Sequence, residues 1–206
     1  MTHIGFLFVL EMLGTAAFAI SGALAAARKG MDIFGFFELA LVPAVGGGTM
    51  RDVILDRHPV FWIDDVRYVA VALAAAVIVY FSFYRPGGRQ QVLIWMDAMG
   101  LALFATLATR ICLEFETGAV VAVMLGVASA VTGGMIRDII CNEIPLILTR
   151  EIYATAAFVS SVTFVGLDFF GIDSTIALSV AVIAGFTVRG LSIVFDWTLP
   201  AARPRS

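Results

Sequence analysis

The heptapeptide Gly46-Gly47-Gly48-Thr49-Met50-Arg51-Asp52 puts three glycines and two charged residues inside sequence that is otherwise apolar. It recurs as Thr132-Gly133-Gly134-Met135-Ile136-Arg137-Asp138, at a shift of 86 positions that takes Arg51 to Arg137. The same shift, with no gap, aligns residues on both sides of the heptapeptide. These further pairs are Glu11 with Asp97, Gly14 with Gly100, Phe18 with Phe104, Ile54 with Ile140, and Pro59 with Pro145. Two copies of one unit therefore fill most of the chain.

The composition is typical of an integral membrane protein. Of the 206 residues, 61% are hydrophobic and only 14% are charged, and the mean hydropathy is +0.99. These polar residues are too few to cover a water-soluble globule. The formal charge of -3 is small and the basic residues are scattered, which argues against a nucleic-acid-binding patch.

Sequence motifs give no support for an enzyme or a cofactor. Cys112 and Cys141 lack the spacing of metal ligands, and the chain has only two histidines, so we expect no resident metal and no cofactor. There is no Ser-His-Asp set in a recognisable pattern, no HExxH motif and no P-loop. We therefore predict that the chain is not an enzyme.

Seven apolar segments are long enough to cross a hydrocarbon core of about 30 Å, which takes about 20 helical residues. They are apolar throughout rather than in alternation, which predicts helices and not barrel strands. The predicted spans are 6–27, 33–55, 66–84, 92–109, 118–140, 152–167 and 174–195.

The repeat and the helix count together predict the fold. Each repeat, about 6–84 and about 92–167, holds three helices, and a seventh helix follows at about 174–195. Because an odd number of crossings returns the chain on the opposite side, the second copy is inverted relative to the first. We predict an all-α integral membrane protein in which residues 1–206 form a single transmembrane domain.

Basic residues predict the orientation of the chain. On this topology seven of them lie on one side of the membrane and three on the other. The larger set is Arg28, Lys29, Arg85, Arg89, Arg150, Arg203 and Arg205, and the smaller set is Arg57, Arg67 and Arg110. Basic residues are enriched on the cytoplasmic side, so we expect the N-terminus outside and the C-terminus inside the cell.

Glycines in a membrane helix have two interpretations. Small residues allow close helix packing, which we favour for the isolated Gly14, Gly100 and Gly185. Consecutive glycines, each costing about 1 kcal/mol of helix propensity relative to alanine, instead favour a kink that frees backbone carbonyls to meet an ion. The predicted ion path contains Gly46, Gly47, Gly48, Thr49, Thr132, Gly133 and Gly134.

Charged side chains at membrane depth need a partner or water. Adjacent residues on a helix point apart, so we do not expect Arg51 to pair with Asp52, or Arg137 with Asp138. Depth along the helices suggests other partners. The predicted contacts are Glu11 with Arg51, Asp97 with Arg137, and Arg189 with Asp97 or Asp138. We therefore expect two charged clusters, one on each side of the glycines, that control access to the ion path.

The doubled glycine-Arg-Asp element, in a chain of seven predicted helices, resembles the prokaryotic members of the trimeric intracellular cation (TRIC) channel family. These overlap with small bacterial membrane proteins of the UPF0126 type that are labelled with a glycine-transporter domain. The resemblance runs from Glu11 to about Arg189. It implies a homotrimer in which each protomer has its own pore, lined by the kinked second and fifth helices, that passes monovalent cations and chiefly potassium.

One departure limits what the resemblance implies. Animal members carry a Lys-Glu-Val motif near the second glycine kink, where this chain has Met135-Ile136-Arg137-Asp138. Phosphoinositide binding, attributed to the animal members, is therefore not expected here.

These observations favour a passive potassium channel in the bacterial inner membrane, with no partner beyond the ion, the bilayer and two further copies of the chain. A secondary transporter for a small solute such as glycine is the alternative, because inverted repeats with broken helices suit a carrier equally well. A scaffold that transports nothing would leave the doubled intramembrane charges unexplained.

Overall fold

The computed structural model describes residues 2–82, 89–149 and 151–200, and seven long helices follow one another through these ranges. They are α1 (Thr2–Lys29), α2 (Ile33–Ile54), α3 (Arg67–Ser82), α4 (Arg89–Glu114), α5 (Ala119–Ile140), α6 (Ala154–Phe169) and α7 (Ser174–Val194). A short helix, Phe61–Asp64, precedes α3, and a single 3-10 turn, Leu146–Leu148, precedes α6. The all-α fold with seven long helices is as predicted.

Helix ends differ from the predicted spans where polar residues continue a helix. α4 begins at Arg89 and ends at Glu114, so it extends beyond the predicted 92–109 at both ends. Apolar runs mark the lipid-facing part of a helix and not its termini, which explains the difference. Five of the seven helices are long and apolar enough to cross a membrane, whereas α3 and α6 have 16 residues each. The predicted end of the third span, at 83–84, lies outside the described residues.

The helix contacts follow the repeat. α1 packs against α2 and α3, α4 packs in the same way against α5 and α6, and α1 and α4 pack against each other. A Cβ added at Gly14 would meet the Phe104 ring at 3.0 Å, and one at Gly100 would meet the Phe18 ring at 2.8 Å. The 86-residue shift exchanges these two contacts, so the repeats are related by a pseudo-two-fold axis. This confirms the predicted inverted repeat.

The pseudo-two-fold axis that relates α1 to α4 also relates α2 to α5, and the backbones of α2 and α5 come together where these two helices cross. A Cβ added at Gly47 would overlap the carbonyl oxygen of Ser129, and one at Gly133 would overlap that of Pro43. The repeat shift also relates Pro43 to Ser129, so this crossing is symmetric. Only glycine permits such an approach.

Both helices run without interruption through these glycines, from Ile33 to Ile54 and from Ala119 to Ile140. The glycines therefore do not interrupt either helix, and they provide close packing between α2 and α5. The kink predicted at the glycines stays a prediction. Backbone groups at membrane depth need partners, which an unbroken helix supplies internally. A carbonyl is freed instead at Leu39, because Pro43 four residues later has no N–H to donate. That oxygen lies where a Cβ of Gly22 in α1 would be.

The seventh helix stands outside the repeat and packs against α4 and α6. Ser160 of α6 donates a hydrogen bond of 2.9 Å to the carbonyl of Ala181 in α7. A Cβ added at Gly185 would meet the side chain of Ser160 and, at 3.0 Å, the carbonyl oxygen of Ala156. The packing role expected for Gly185 is therefore confirmed.

Candidate functional site

The first charged cluster, which we call the first-repeat cluster, contains Glu11, Arg51 and Asp52. The Arg51 guanidinium folds back along α2, so that Nε and Nη2 donate to Asp52 Oδ1 at 2.8 and 2.6 Å. Arg51 is 4% exposed and Asp52 is fully buried. The prediction that adjacent arginine and aspartate leave each other unpaired is wrong, because the arginine side chain is long enough to turn back.

Glu11 has a different partner from the one predicted. Its Oε2 accepts a hydrogen bond from the Tyr68 hydroxyl of α3, and no ion pair joins it to Arg51. The pairing of Glu11 with Arg51 is therefore wrong in this structure. Asp52 already holds two guanidinium nitrogens, and Tyr68 supplies a closer donor for Glu11.

The second-repeat cluster contains Asp97, Arg137 and Asp138. Arg137 Nε and Nη2 donate to Asp138 Oδ1 at 2.9 and 2.8 Å, again between neighbours in sequence. Its Nη1 donates to Asp97 Oδ1 and to Ser21 Oγ, each at 2.5 Å. Arg137 is 2% exposed and Asp97 is 1% exposed. The predicted pairing of Asp97 with Arg137 is confirmed.

Both aspartates of the Arg-Asp pairs also hold the loop that follows their helix. Asp52 Oδ2 accepts from the backbone N–H of Phe61 at 3.0 Å, and Asp138 Oδ2 accepts from that of Leu146 at 3.1 Å. Phe61 lies nine residues after its aspartate and Leu146 eight. The repeat shift therefore falls from 86 to 85 within the loop, and by the same count Tyr68 corresponds to Tyr153. This role was not predicted from the sequence, although each loop contains one of the repeat-related prolines, Pro59 and Pro145.

Arg189 of α7 belongs to neither cluster. Its Nη2 forms an ion pair with Glu151, and its guanidinium lies over the Tyr153 ring at 5.5 Å. The prediction that Arg189 reaches Asp97 or Asp138 is wrong, because Glu151 in the segment before α6 lies nearer to it.

Residues of the two heptapeptides contact one another across the α2–α5 crossing. A Cβ at Gly46 would meet Ile136 Cδ1 at 3.2 Å, and the symmetry-related Thr132 Oγ1 lies 3.3 Å from Met50 Sδ. The hydroxyls have partners within the protein. Thr132 donates to the carbonyl of Ala128 at 2.7 Å.

The remaining positions of the heptapeptides face large side chains. The Thr49 hydroxyl donates to the carbonyl of Val45 at 2.7 Å and accepts from Trp62 Nε1 at 2.9 Å. Gly48 lies beneath the Phe61 ring, and Gly134 lies beneath the Tyr153 hydroxyl. The structure thus brings the predicted path residues to one crossing without showing an ion contact.

Several buried polar atoms have no hydrogen-bond partner among the described residues. They are Ser129 Oγ, Asp97 Oδ2, Tyr153 Oη and Arg189 Nε. Ser129 faces Gly47 at the crossing itself and was missed in the sequence, because a lone serine in an apolar helix is usually a structural residue. Unsatisfied groups of this kind are expected where water, an ion or a change of conformation supplies the partner.

A cavity of about 140 Å³ lies beside the first-repeat cluster. The charged residues that line it are Glu11, Arg51, Arg57, Asp64 and Asp65. A second cavity, of about 340 Å³, shares Glu11 and Arg57 with the first and extends towards Arg110 and Glu114 at the end of α4. The first-repeat cluster is therefore reached through polar space, which we call the vestibule.

A family model described as "Glycine transporter" matches residues 8–84 and again residues 94–168. This chain belongs to that family. Each match covers most of one repeat, so the family unit is the three-helix unit seen twice in this fold. Curated relatives also match this chain over nearly its whole length. A UPF0126 membrane protein of Vibrio cholerae is 36% identical over 198 residues, which is 94% of this chain and 82% of that protein.

Another relative is the UPF0126 inner membrane protein YadS of Escherichia coli K12. It is 42% identical over 157 residues, which is 74% of either protein. Solved structures match too. A Rhodobacter sphaeroides orthologue described as a TRIC trimeric intracellular cation channel superimposes with a TM-score of 0.89 at 42% identity, covering 93% of this chain and 98% of that one.

A further solved structure is described as a prokaryotic TRIC channel in 0.5 M KCl. It superimposes with a TM-score of 0.88 at 31% identity, and the match covers 97% of this chain and all of that one. The resemblance to the TRIC family that the sequence suggested is thus confirmed, and with it the assignment as a helical membrane protein.

Proposed function

We propose that this protein is a passive channel for monovalent cations, chiefly potassium, with a separate pore in each protomer of a homotrimer. The observation that carries the proposal is the match, over 93% of the chain at 42% identity, to a structure described as a trimeric cation channel.

The proposed ion path leads from the vestibule, past the α2–α5 crossing, to the second-repeat cluster. Its narrowest part is the crossing of Gly47 and Gly133, where the buried Ser129 hydroxyl has no partner among the described residues. The Arg-Asp clusters lie at the two ends of this passage and control entry to it. A cation on this path would be solvated by hydroxyl and carbonyl dipoles without a fixed counter-charge, and would therefore bind weakly enough to leave.

In the present conformation the path is closed at the crossing, because the backbones of the two helices touch there. Opening requires α2 and α5 to move apart by at least the width of an ion. Contacts between glycines suit such a movement, since no interlocked side chains have to be withdrawn.

The proposal includes a location in the bacterial inner membrane, with the N-terminus outside and the C-terminus in the cytoplasm. The description of the YadS relative as an inner membrane protein supports the location. The orientation rests on the distribution of basic residues. Arg85, Arg150, Arg203 and Arg205, which contribute to that distribution, lie outside the described residues.

Potassium flux into proteoliposomes, combined with recordings in planar bilayers under a potassium gradient, tests the function. Gly47→Leu and Gly133→Leu should abolish flux, because a side chain would fill the crossing from either helix. The matched control is Gly166→Leu in α6, where an added Cβ meets nothing within 4 Å. Assembly is checked for each variant by size-exclusion chromatography with light scattering. Flux that survives both crossing variants would place the pore elsewhere.

A carrier for a small solute is the second candidate, and the family description of a glycine transporter favours it. Unitary currents distinguish the two, because a channel passes ions much faster than a carrier turns over. Wild-type protein that passes no potassium and accumulates labelled glycine against a gradient would establish the carrier instead.

A further inference from the structure

We propose that an apolar groove between α5 and α6 holds one acyl chain of a phospholipid, and that the first turn of α5 binds the phosphate of the same lipid. This site lies outside the proposed ion path and does not depend on the channel function. It follows from a comparison of the repeats, because the first repeat fills the corresponding positions with its own side chains.

The groove has a volume of about 340 Å³ and lies between two consecutive membrane helices. All its lining side chains are apolar, and they come from residues 119–124 of α5 and from Phe158, Val162 and Val165 of α6. Phe158 and Val165 are separated by about 10 Å along the helix axis. The groove therefore starts at the end of a membrane span and runs inwards along the helices, which is the direction of an acyl chain.

The first repeat fills the matching position, between α2 and α3, with aromatic side chains. The repeat shift takes Ala122 to Phe36 before the loop and Val165 to Tyr80 after it. The rings of Phe36 and Tyr80 pack edge to face, with centroids 5.1 Å apart, and Phe36 is buried. Alanine and valine leave that space open in the second repeat, so another apolar group has to fill it.

The helices that form these two positions also begin differently. α2 begins after Asp32, whose carboxylate accepts a hydrogen bond of 2.9 Å from the N–H of Gly35 and caps the helix with a negative charge. The shift of 86 takes Asp32 to Gly118, which precedes α5 and has no side chain. No side chain among the described residues caps α5. Its first turn therefore offers N–H groups and a positive dipole to an outside anion.

The uncapped turn and the groove share residues. Ala119 and Val120 are the first two residues of α5, and both line the mouth of the groove. Helix N-termini bind phosphate through their backbone N–H groups. A phosphate at this turn would stand directly above a chain in the groove. A phospholipid thus supplies in one molecule what Asp32 and the two aromatic rings supply in the first repeat.

Other occupants match only part of the site. A free phosphate ion would satisfy the helix turn and leave the groove empty. A helix of a second copy is about 10 Å across with its side chains, which is wider than a single chain, and it brings no anion to the turn. In the proposed orientation the site faces the outer leaflet, where phospholipid is always present.

The charges near the turn decide which headgroup makes the best probe. Glu114 is paired with Arg110 at 2.7 Å, whereas Glu116 lies exposed two residues before Gly118. An anionic headgroup would be repelled by Glu116, but the ammonium of an ethanolamine headgroup would be attracted. Phosphatidylethanolamine is therefore the probe for this site.

Native mass spectrometry of the delipidated full-length protein tests the site, with dioleoyl phosphatidylethanolamine added in steps. The comparison ligands are dioleoylglycerol, which has the same chains without the phosphate, and inorganic phosphate, which has no chain. We expect one phospholipid per protomer to bind about tenfold or more tightly than either. Dioleoylglycerol or phosphate that binds as well as the phospholipid would overturn the proposal, and so would the absence of phospholipid binding.

Two variants close the groove with residues of the first repeat. Val165→Tyr restores the residue found at Tyr80, and Val123→Phe restores the one found at Phe37. We expect each to weaken phospholipid binding about tenfold. Val180→Tyr, at an exposed valine of α7 that does not line the groove, should leave binding unchanged. If one groove variant fails to fold, the other decides, and unchanged binding there overturns the proposal.

A third variant tests the phosphate contact. Ala119→Glu places a carboxylate in the first turn of α5, where it favours the helix but repels a phosphate. We expect weaker phospholipid binding with no fall in melting temperature. Ile176→Glu, at an exposed position in the first turn of α7, is the matched control and should bind the lipid as the wild type does. Equal binding by the two variants would overturn the proposal.

The same spectra separate a lipid site from a contact between copies and from the channel function. If Val165→Tyr dissociates the oligomer while each protomer keeps its lipid, the groove is an interface and the proposal is overturned. Potassium flux without phospholipid binding would overturn this site and leave the channel intact. Phospholipid binding with the expected variant pattern, in protein that carries no flux, would support the site and remove the channel.

Discussion

The two charged clusters derive from one repeated sequence and yet are connected differently. In the second-repeat cluster every guanidinium nitrogen of Arg137 donates a hydrogen bond, and Nη1 reaches across to Asp97 of α4 and Ser21 of α1. In the first-repeat cluster the hydrogen bonds of Arg51 to other described residues all go to its neighbour Asp52, and Arg51 lines a cavity. The arginine of one half is thus fully hydrogen-bonded within the protein, whereas the arginine of the other half borders a cavity.

The difference arises from small changes around a shared Arg-Asp pair. Position 11 holds glutamate where the second repeat has aspartate, so the carboxylate extends one methylene further and meets the hydroxyl of Tyr68. The corresponding tyrosine, Tyr153, lies beside Asp97, which the arginine already holds through Oδ1. A pseudo-symmetric fold can therefore place an arginine in a buried ion pair between helices at one end and an arginine beside a cavity at the other.

The largest expected effect is on the free energy of unfolding when Asp97 and Glu11, the repeat-related acids of the two clusters, are replaced. Asp97→Asn removes a fully buried partner of Arg137 while Asp138 still neutralises the arginine, so it should lower the free energy of unfolding by about 3 kcal/mol, the upper value for a hydrogen bond to a charged group. Glu11→Gln removes no ion pair and keeps an acceptor for Tyr68, so its cost should be about 1 kcal/mol. Equilibrium unfolding in mixed detergent micelles measures both. Equal losses would show that the two clusters are energetically alike and that the comparison fails.

The next largest effect concerns the crossing, where the two halves should behave alike. Gly47→Ala and Gly133→Ala each push a Cβ into a carbonyl of the facing helix and should cost about 3 kcal/mol, the upper part of the range for overpacking. Gly46→Ala is the matched control within the same run, since its Cβ would meet only a flexible Ile136 methyl at 3.2 Å. A large loss of stability in Gly47→Ala together with no loss in Gly133→Ala would contradict the symmetric crossing.

The sequence predicts more of the fold than of the contacts. A gap-free repeat and seven apolar runs were enough for the inverted architecture, and depth counting was enough to pair Asp97 with Arg137. The same counting failed for Glu11, because the competing hydroxyl of Tyr68 comes from a helix whose rotation the sequence does not fix. The close contact between α2 and α5 was not predicted for the consecutive glycines, because propensity alone does not show that a facing backbone needs their space.

A smaller effect sharpens the comparison through the two tyrosines. Tyr68→Phe leaves Glu11 without its donor and should cost about 1 to 2 kcal/mol, since the lost hydrogen bond is made to a charged group. Tyr153→Phe removes a hydroxyl that lies beside Asp97 but makes no well-formed hydrogen bond among the described residues, so its cost should be smaller, about 0.5 kcal/mol or less. The same detergent unfolding assay compares them. A larger loss for Tyr153 would mean that its hydroxyl is bonded in the working protein.

The smallest effect lies at the loop ends, where the repeat reverses its charges. Arg28 and Lys29 hold Glu143 after α5, whereas the shift of 86 places Glu114 and Arg57 at the matching positions. Although partial burial acts to raise it, the pKa of the Glu143 carboxyl is held below its usual range by the hydrogen bonds and charges of Lys29 and Arg28.

A carboxyl whose pKa is lowered in the folded state adds stability above its unfolded pKa, near pH 4.3, and loses it as the pH falls through the lower folded value. Because this pair is partly exposed, the contribution should be below about 1 kcal/mol and should shrink in high salt. The difference in melting temperature between wild type and Glu143→Gln should therefore be constant from pH 7 to about pH 5. At more acidic pH it should fall to zero. Arg57→Gln, at the matching position of the first repeat, is the control because it also removes a charge. In an Arg57→Gln background, the difference in melting temperature caused by Glu143→Gln should still disappear at acidic pH. A difference that widens on acidification would show that Glu143 is stabilised in its protonated form, and that the two cations do not hold it.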